Sequence, residues 1–337
     1  MVMRILAFES SCDETAAAVV EYERRRFSVL SNIVASQIAV HAKFGGVVPE
    51  IASRAHSEAI SGIAYQALEC CGLSMNEMDA VAVTSNPGLI GALLVGVNFA
   101  KSLAFSWGKP LISVNHIKGH VAANYLTHDD LKPPFLAFVA SGGHTSMIRM
   151  DGYREHTVIG GTRDDAMGES FDKVARVMGM PYPGGAALDK LAYEGKKPIV
   201  FPSAAIHDDS LDLSFSGIKT AVLNYINGET QKGHELPRAD IAAGFVKAAV
   251  SSILIKLGMA FDRNPEMHTL VLAGGVAANS HLRLALEQFA SERGLTLYMP
   301  ELCYCGDNAA MIAAAACFEF EAKNFSDEAL NAYAYSV

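Results

Sequence analysis

The chain has 337 residues, 50% of them hydrophobic and 19% charged, which at roughly 100–200 residues per domain allows two apolar cores and excludes a disordered chain. Its formal net charge of −9 repels nucleic acid at long range, so a nucleic-acid partner needs a local basic patch or a helper subunit. Only ILAF separates Arg4 from Glu9, short of the ~7–15-residue apolar core of a signal peptide, and AAMIAAAACF near the end is about half a membrane span. A cytoplasmic protein with no membrane contact is expected, and its six cysteines, at adjacent and C-x-C spacings, read as reduced thiols.

MRILAFES is a short buried strand, TAAAVVEY its hairpin return, and VLSNIVASQIAV continues the sheet. PEIASRAHSEAISGIAYQALECC opens with Pro49 and carries Ile51, Ala55, Ala59, Ile63 and Ala67 at helical spacing. DAVAVTS is a strand stopped by Asn86-Pro87-Gly88, GALLVGVNFAKSLAFSW is a helix, and PLISVN is a strand that delivers His116 and His120. A second cycle begins at PFLAFVASGGHTSMIRM, which repeats the strand, turn and strand of RILAFESSCDETAAAVV. HTLVLAGGVAANSHLRLALEQF then repeats the strand, turn and helix of DAVAVTSNPGLIGALLVG. The expected architecture is therefore α/β and duplicated, with mixed sheets, in domains 1–130 and 131–337 and an irregular insert around 195–213. Two such halves would hold a ligand in a central cleft.

His116 and His120 lie four apart, so on a helix they share a face and can present two imidazoles to one ion, or serve as hydrogen-bonded core residues. A zincin protease needs Glu directly after the first His, and this chain has Ile117. Asp307, in the glycine turn of CYCGDNAAMIAAAA, offers a third ligand or caps the helix that follows. Two histidines and one carboxylate suit Fe(II), with zinc compatible on ligand type. SGGHT (Ser141 to Thr145) and AGGVAANS (Ala273 to Ser280) are glycine turns after apolar strands, where backbone amides can approach a phosphate. ESSCDET occupies the equivalent turn of the first half, and Asp13 and Glu14 in it are candidates for a base. Glu169 with Lys173 and Asp172 with Arg176 are four-residue charge pairs that also fit a plain solvated helix.

Nine colinear segments, ESSCDET, KFGGVVPEIASRAH, NPGLIGALLVG, NHIKGHVAA, SGGHT, GESFDKVARVMGMPYPGG, LSFSGIKTAV, AGGVAANS and GDNAAMIA, together resemble the TsaD family of bacterial tRNA adenosine threonylcarbamoyltransferases over nearly the whole chain. The resemblance implies the actin-like, sugar-kinase-like (ribonuclease H-like) ATPase fold. It implies transfer of the threonylcarbamoyl group from threonylcarbamoyl-adenylate to the exocyclic N6 amine of adenosine 37 in tRNAs reading codons that begin with A, giving t6A and AMP. It implies metal ligands at His116, His120 and Asp307, with one Fe(II) per subunit. It also implies substrate contacts at Val139, Ala140, Ser141, Gly142, Gly143, Asp172, Gly185, Asp189 and Asn279. The implied partners are tRNA, TsaB as a heterodimer partner, the ATPase TsaE, and TsaC as the source of the adenylate.

Departures from the family pattern are Asn86-Pro87-Gly88 in place of GPG, Gly306 in place of Thr before Asp307, and Met167 and Ser170 where alanine is usual. The rival classes are a small-molecule carbamoyltransferase, which normally carries further domains, a metallopeptidase, a non-catalytic partner subunit, and a kinase of sugars or acetate.

Overall fold

The computed structural model describes residues 2–206 and 208–335. It divides into two units, Met1–Leu131 with Pro300–Val337, and Lys132–Met299.

In the first unit, β1 (Met3–Glu9), β2 (Glu14–Glu23) and β3 (Arg26–Ser36) form an antiparallel meander. A short turn of helix, α1 (Ile38–His41), precedes the long α2 (Pro49–Cys71). Then follow β4 (Ala80–Asn86), α3 (Ile90–Ser106), β5 (Leu111–Asn115) and α4 (His116–Ala122). The sheet order is β3-β2-β1-β4-β5, with β4 parallel to β1 and β5 parallel to β4. In the second unit, β6 (Phe135–Ala140), β7 (Thr145–Met150) and β8 (His156–Gly161) repeat the meander. After α5 (Met167–Val177), α6 (Gly185–Ala192), α7 (Phe215–Gln231) and α8 (Arg238–Arg263), β9 (Thr269–Ala273) joins β6 in parallel. Beyond α9 (Ser280–Arg293), β10 (Thr296–Tyr298) joins β9 in parallel. Read from its far edge, this sheet runs β8-β7-β6-β9-β10 with the same strand directions. The repeat legible in the sequence is thus a repeat of topology, and the α/β, duplicated fold stands as expected.

The expectation of a second domain running from 131 to the C-terminus needs correcting at its far end. The last helix, α10 (Ala309–Glu321), packs on β1, β2 and α4 of the first unit. Ala309 to Phe318 are all buried, and a ten-residue apolar helix of small side chains needs a sheet face to cover it. Leu6, Phe8, Val81 and Val83 of the first sheet pack with Ile60, Ile63, Leu93 and Val97 of α2 and α3. Strands β1 and β4 are covered on both sides, which is why they read as continuous apolar runs without alternation.

Helix α2 spans the expected residues, but its inward stripe is Ala52, His56, Ile60, Ile63, Ala64 and Ala67, one position along from the Ile51, Ala55 and Ala59 face. The shift follows from His56, which is drawn inside by two hydrogen-bond partners, Thr15 Oγ1 at 2.8 Å and the Cys12 carbonyl at 2.9 Å. Helix α8 alone among the described residues is long and apolar enough to cross a membrane, and 67% of that stretch is buried in the protein. Its core-facing Lys256 donates to the carbonyls of Ile206 and Ser210. Residues 195–213 contain no helix or named strand among those described, and all six cysteines are free.

Candidate metal centre

Three parallel strands of the first sheet, β1, β4 and β5, end at the same edge, and the candidate ligands gather there. In open α/β sheets the carboxyl ends of parallel strands are the usual ligand edge. Strand β5 ends at Asn115, whose side chain accepts hydrogen bonds from the backbone N–H groups of Ile117 at 2.9 Å and Lys118 at 3.2 Å. That cap starts α4 at His116 and leaves His120 one turn on. Gly119, between them, lets α10 come close: a Cβ there would lie 2.6 Å from Ile312 Cδ1.

The approach of α10 brings Asp307 to the histidines. Asn308 caps α10, accepting from the Met311 N–H at 3.0 Å, and so Asp307 is not the cap. Its Oδ1 lies 3.2 Å from His120 Nε2 and 3.6 Å from His116 Nε2. The imidazoles meet edge to face with centroids 4.5 Å apart, and one ligand atom from each of the three residues falls within 4.8 Å of the others. Two donors held at ~2.1 Å by one ion at near-octahedral or tetrahedral angles stand ~3.0–3.4 Å apart, close to the two carboxylate distances observed.

Both ring nitrogens of His120 are buried without a hydrogen-bond partner, and Asp307 Oδ1 stands 3.2 Å from Nε2 as an ion-pair neighbour. A fully buried imidazole without a hydrogen bond is costly in a purely structural role, whereas a metal ligand keeps a nitrogen lone pair free for its ion. Burial, with the His116 charge beside it, pushes the His120 pKa down, so it is the neutral form that faces Asp307. The residues fit a divalent cation.

His116 is held from behind by a residue that sequence spacing does not single out. Its Nδ1 lies 3.0 Å from Glu9 Oε2 and 3.1 Å from Ser11 Oγ. Glu9 is buried; it also accepts from the Ser11 N–H at 2.5 Å and from Thr84 Oγ1 at 2.6 Å. A carboxylate on Nδ1 fixes the tautomer and aims Nε2 at the ligand position. Burial opposes charge on His116, but the Asp307 and Glu9 carboxylates outweigh it and hold the pKa at about 9. Burial likewise acts to raise Glu9, and the charge and hydrogen bond of His116 bring it below the ordinary value. Glu9 was reachable only as the last residue of an apolar strand, a buried acid with no partner in view.

Of the two base candidates, Glu14 accepts from Ser36 Oγ at 3.1 Å. Its pKa is pushed up to about 9, first by burial and then by Asp307 and Asp13. Asp13 is buried in the same turn. Gly88 explains why the Asn86-Pro87-Gly88 turn keeps its glycine, since a Cβ there would stand 2.6 Å from the Ser11 carbonyl. At Gly306 a Cβ meets nothing within 4 Å, so packing does not demand glycine before Asp307.

The expected substrate residues all lie in the second unit, around the carboxyl ends of β6 and β9. Ser141 N–H donates to the His144 carbonyl at 2.8 Å, and His144 N–H donates to Ser141 Oγ at 3.1 Å, closing the turn that holds Gly142 and Gly143. Gly168 in α5 approaches that turn so closely that a Cβ would lie 2.6 Å from the Ser141 carbonyl. Val139 and Ala140 are buried in β6. Gly274 takes φ +91°, and a Cβ on it would lie 2.3 Å from the Ala140 carbonyl, so the two glycine turns touch. Asp172 Oδ1 accepts from the N–H groups of Gly184 at 2.7 Å and Gly185 at 3.1 Å, which ties α5 to the start of α6. Asp189 accepts from Ser280 N–H at 3.0 Å and Ser280 Oγ at 2.7 Å, and Asn279 Oδ1 caps α9 through the Leu282 N–H at 2.8 Å. The structure brings these residues together as one chain of contacts through β6, α5, α6 and the start of α9. Glu169 and Lys173 pair as expected at 2.9 Å, and Lys173 also reaches Asp165 at 2.7 Å.

A duplicated β3-β2-β1-β4-β5 fold with two buried histidines and a half-buried aspartate at a strand edge defines an α/β protein of the actin-like class with a metal-type centre. A family model described as "TsaD: tRNA N6-adenosine threonylcarbamoyltransferase" matches residues 28–314, and the chain belongs to that family. It is 52% identical over 329 residues to the tRNA N6-adenosine threonylcarbamoyltransferase of Clostridium perfringens, covering 97% of this chain and 96% of the relative. With the protein of the same name from Clostridium botulinum it shares 53% identity over 319 residues, covering 94% and 93%. Among solved structures, HypF of T. kodakarensis superposes with a TM-score of 0.63 at 13% identity, over 96% of this chain and 48% of that one, a likeness of fold.

Proposed function

We propose that this protein transfers the threonylcarbamoyl group of threonylcarbamoyl-adenylate to N6 of adenosine 37 in tRNAs that read codons beginning with A. The observation that carries this beyond family membership is the centre itself, with His116, His120 and Asp307 gathered and His120 without a hydrogen bond. The adenosine amine attacks the carbamoyl carbon. The bond from that carbon to the phosphate oxygen breaks, AMP leaves with its electron pair, and the amine gives up a proton. The adenylate is already a good leaving group, so positioning and electrostatics carry most of the acceleration.

A divalent ion held by His116, His120 and Asp307 supplies Lewis acidity toward a carbonyl or phosphoryl oxygen, an effect of several kcal/mol. Two imidazoles and one carboxylate favour Fe(II), with zinc the competing occupant. Glu9 holds the proton on His116 Nδ1 and keeps Nε2 available. Val139, Ala140, Ser141, Gly142, Gly143, Asp172, Gly185, Asp189 and Asn279 bind the adenylate, the glycine turns offering amides to its phosphate. The excess of acidic charge fits help from partner proteins in tRNA recruitment, namely TsaB and TsaE, with TsaC making the adenylate, all in the cytoplasm. Ile117, where a zincin carries its glutamate, argues against a peptidase.

The test is to incubate the protein and its partners with threonylcarbamoyl-adenylate and unmodified tRNA, digest the tRNA, and weigh its nucleosides. Threonylcarbamoyladenosine appearing only in codon-A tRNAs is expected. Its absence from all tRNAs, with carbamoylation of a small molecule instead, would replace this function with that rival.

A further inference from the structure

The end of α6 and the start of α9 carry an aromatic pair that the proposed adenylate contacts do not include. Tyr193, the residue after α6, stacks on His281 in the first turn of α9, with ring centroids 3.9 Å apart and planes at 30°. Both rings are pinned by polar partners. His281 Nδ1 is 2.7 Å from Asp189 Oδ1, and the Tyr193 hydroxyl is 3.0 Å from Ser280 Oγ. His281 stacks on one face of the phenol, yet Tyr193 remains 59% exposed, so a pre-oriented ring is offered to solvent.

Lys190, Lys196 and Lys197 flank it, all exposed, and none has an ion-pair partner among the described residues. The backbone N–H groups of Lys196 and Lys197 both donate to Asp240 Oδ1 at 2.8 Å, which fixes their turn. From residue 190 to residue 197, three lysines against the single Glu194 leave +2 in a chain of net charge −9.

We propose that Tyr193, backed by His281, is a stacking platform for an unpaired nucleobase of the tRNA, and that Lys190, Lys196 and Lys197 meet the phosphates beside it. The inference rests on tRNA being the acceptor. Proteins read RNA mainly at unstacked loop bases laid on aromatic rings. Such stacking tolerates any base and works alongside a cationic track. A ring whose rotamer is already locked loses little entropy when a base settles on it. The spread of three ammoniums over eight residues suits a polyanionic strand better than a mononucleotide.

The experiment uses the full chain with its partner proteins, equilibrium binding of labelled unmodified tRNA, and steady-state transfer kinetics. Tyr193→Ala is expected to weaken tRNA binding roughly 5- to 140-fold and to raise KM for tRNA, leaving kcat and the KM for the adenylate unchanged. Tyr193→Phe keeps the ring and stays near wild type. The double variant Lys196→Ala, Lys197→Ala lowers the slope of log affinity against log salt by roughly 0.7 per lost phosphate contact. Wild-type tRNA affinity in Tyr193→Ala would overturn the platform, and so would a raised KM for the adenylate alone, which would assign the ring to the adenylate's own base. A wild-type protein that binds tRNA without modifying it sinks the transferase reading while the binding comparison still decides the platform; one with no affinity for tRNA overturns both.

Discussion

Replacing Glu9 with glutamine changes one atom and removes one charge, yet the structure predicts a large effect on metal binding. Glu9 Oε1 takes the Ser11 N–H, a buried backbone donor with a 2.5 Å bond, so the amide oxygen of a glutamine must stay there. Its NH2 then occupies the Oε2 position, 3.0 Å from His116 Nδ1 and 2.6 Å from Thr84 Oγ1. An NH2 is a donor, and it favours the tautomer in which Nδ1 accepts and the proton moves to Nε2. Nε2 is the nitrogen that faces Asp307, so the substitution blocks the lone pair that a cation needs. Loss of an outer-shell partner of this kind lowers metal affinity by about 10–100-fold, which is about 1.4–2.8 kcal/mol. Chelator-competition titration of Fe(II) or Zn(II) into the variant measures it. Glu9→Gln binding metal as tightly as wild type would refute the claim that Glu9 sets the His116 tautomer.

His120→Ala, which removes a fully buried ligand, should abolish stoichiometric metal on elemental analysis while the circular dichroism spectrum is retained. For the metal-free protein, the folded His116 pKa of about 9 lies above the ordinary 6.5. Its contribution to stability, of order 3 kcal/mol, is therefore present below pH 6.5 and lost as pH rises through 9. Glu14, raised to about 9 from 4.5, opposes folding over the same rise, so Tm of the metal-free protein falls from pH 6 to 9, and metal raises Tm more at pH 8.5 than at pH 6. Ser170, buried with its hydroxyl unpartnered, predicts that Ser170→Ala is neutral or stabilising by up to about 1 kcal/mol, read from denaturant midpoints; a loss of stability would show a partner for the hydroxyl. Gly274→Ala places a Cβ 2.3 Å from the Ala140 carbonyl at φ +91° and should cost at least about 1–2 kcal/mol along with adenylate affinity, measured by thermal melts with and without the ligand.

What could be read from the sequence was whatever is written in local pattern. The strands PFLAFVA and RILAFE show themselves by apolar runs, and α2 by Pro49 and its periodicity. The two histidines share a face because α4 begins at His116, as their spacing implied. The metal cluster also needed Asp307, nearly 190 residues away, which the sequence offered as a third ligand or as a helix cap and which the resemblance assigned as a ligand. Locally, Asp307 and Asn308 compete for the cap, and Asn308 takes it because its side chain reaches the Met311 N–H. The return of α10 to the first unit was hidden for a related reason, since an alanine-rich helix does not state which sheet it covers. Glu9 and the inward turn of His56 were hidden because a buried polar side chain is explained by partners distant in sequence, Thr84 and His116 for one, Cys12 and Thr15 for the other.

The most direct test of the central claim is a single-turnover transfer of radiolabelled threonylcarbamoyl from its adenylate to unmodified tRNA. It compares wild-type protein with His116→Ala and His120→Ala, each shown to be folded and to bind tRNA. Label is expected in tRNA with wild type, with a loss of at least 100-fold in rate for either variant. Equal rates in all three would contradict it and reduce the two histidines to core residues.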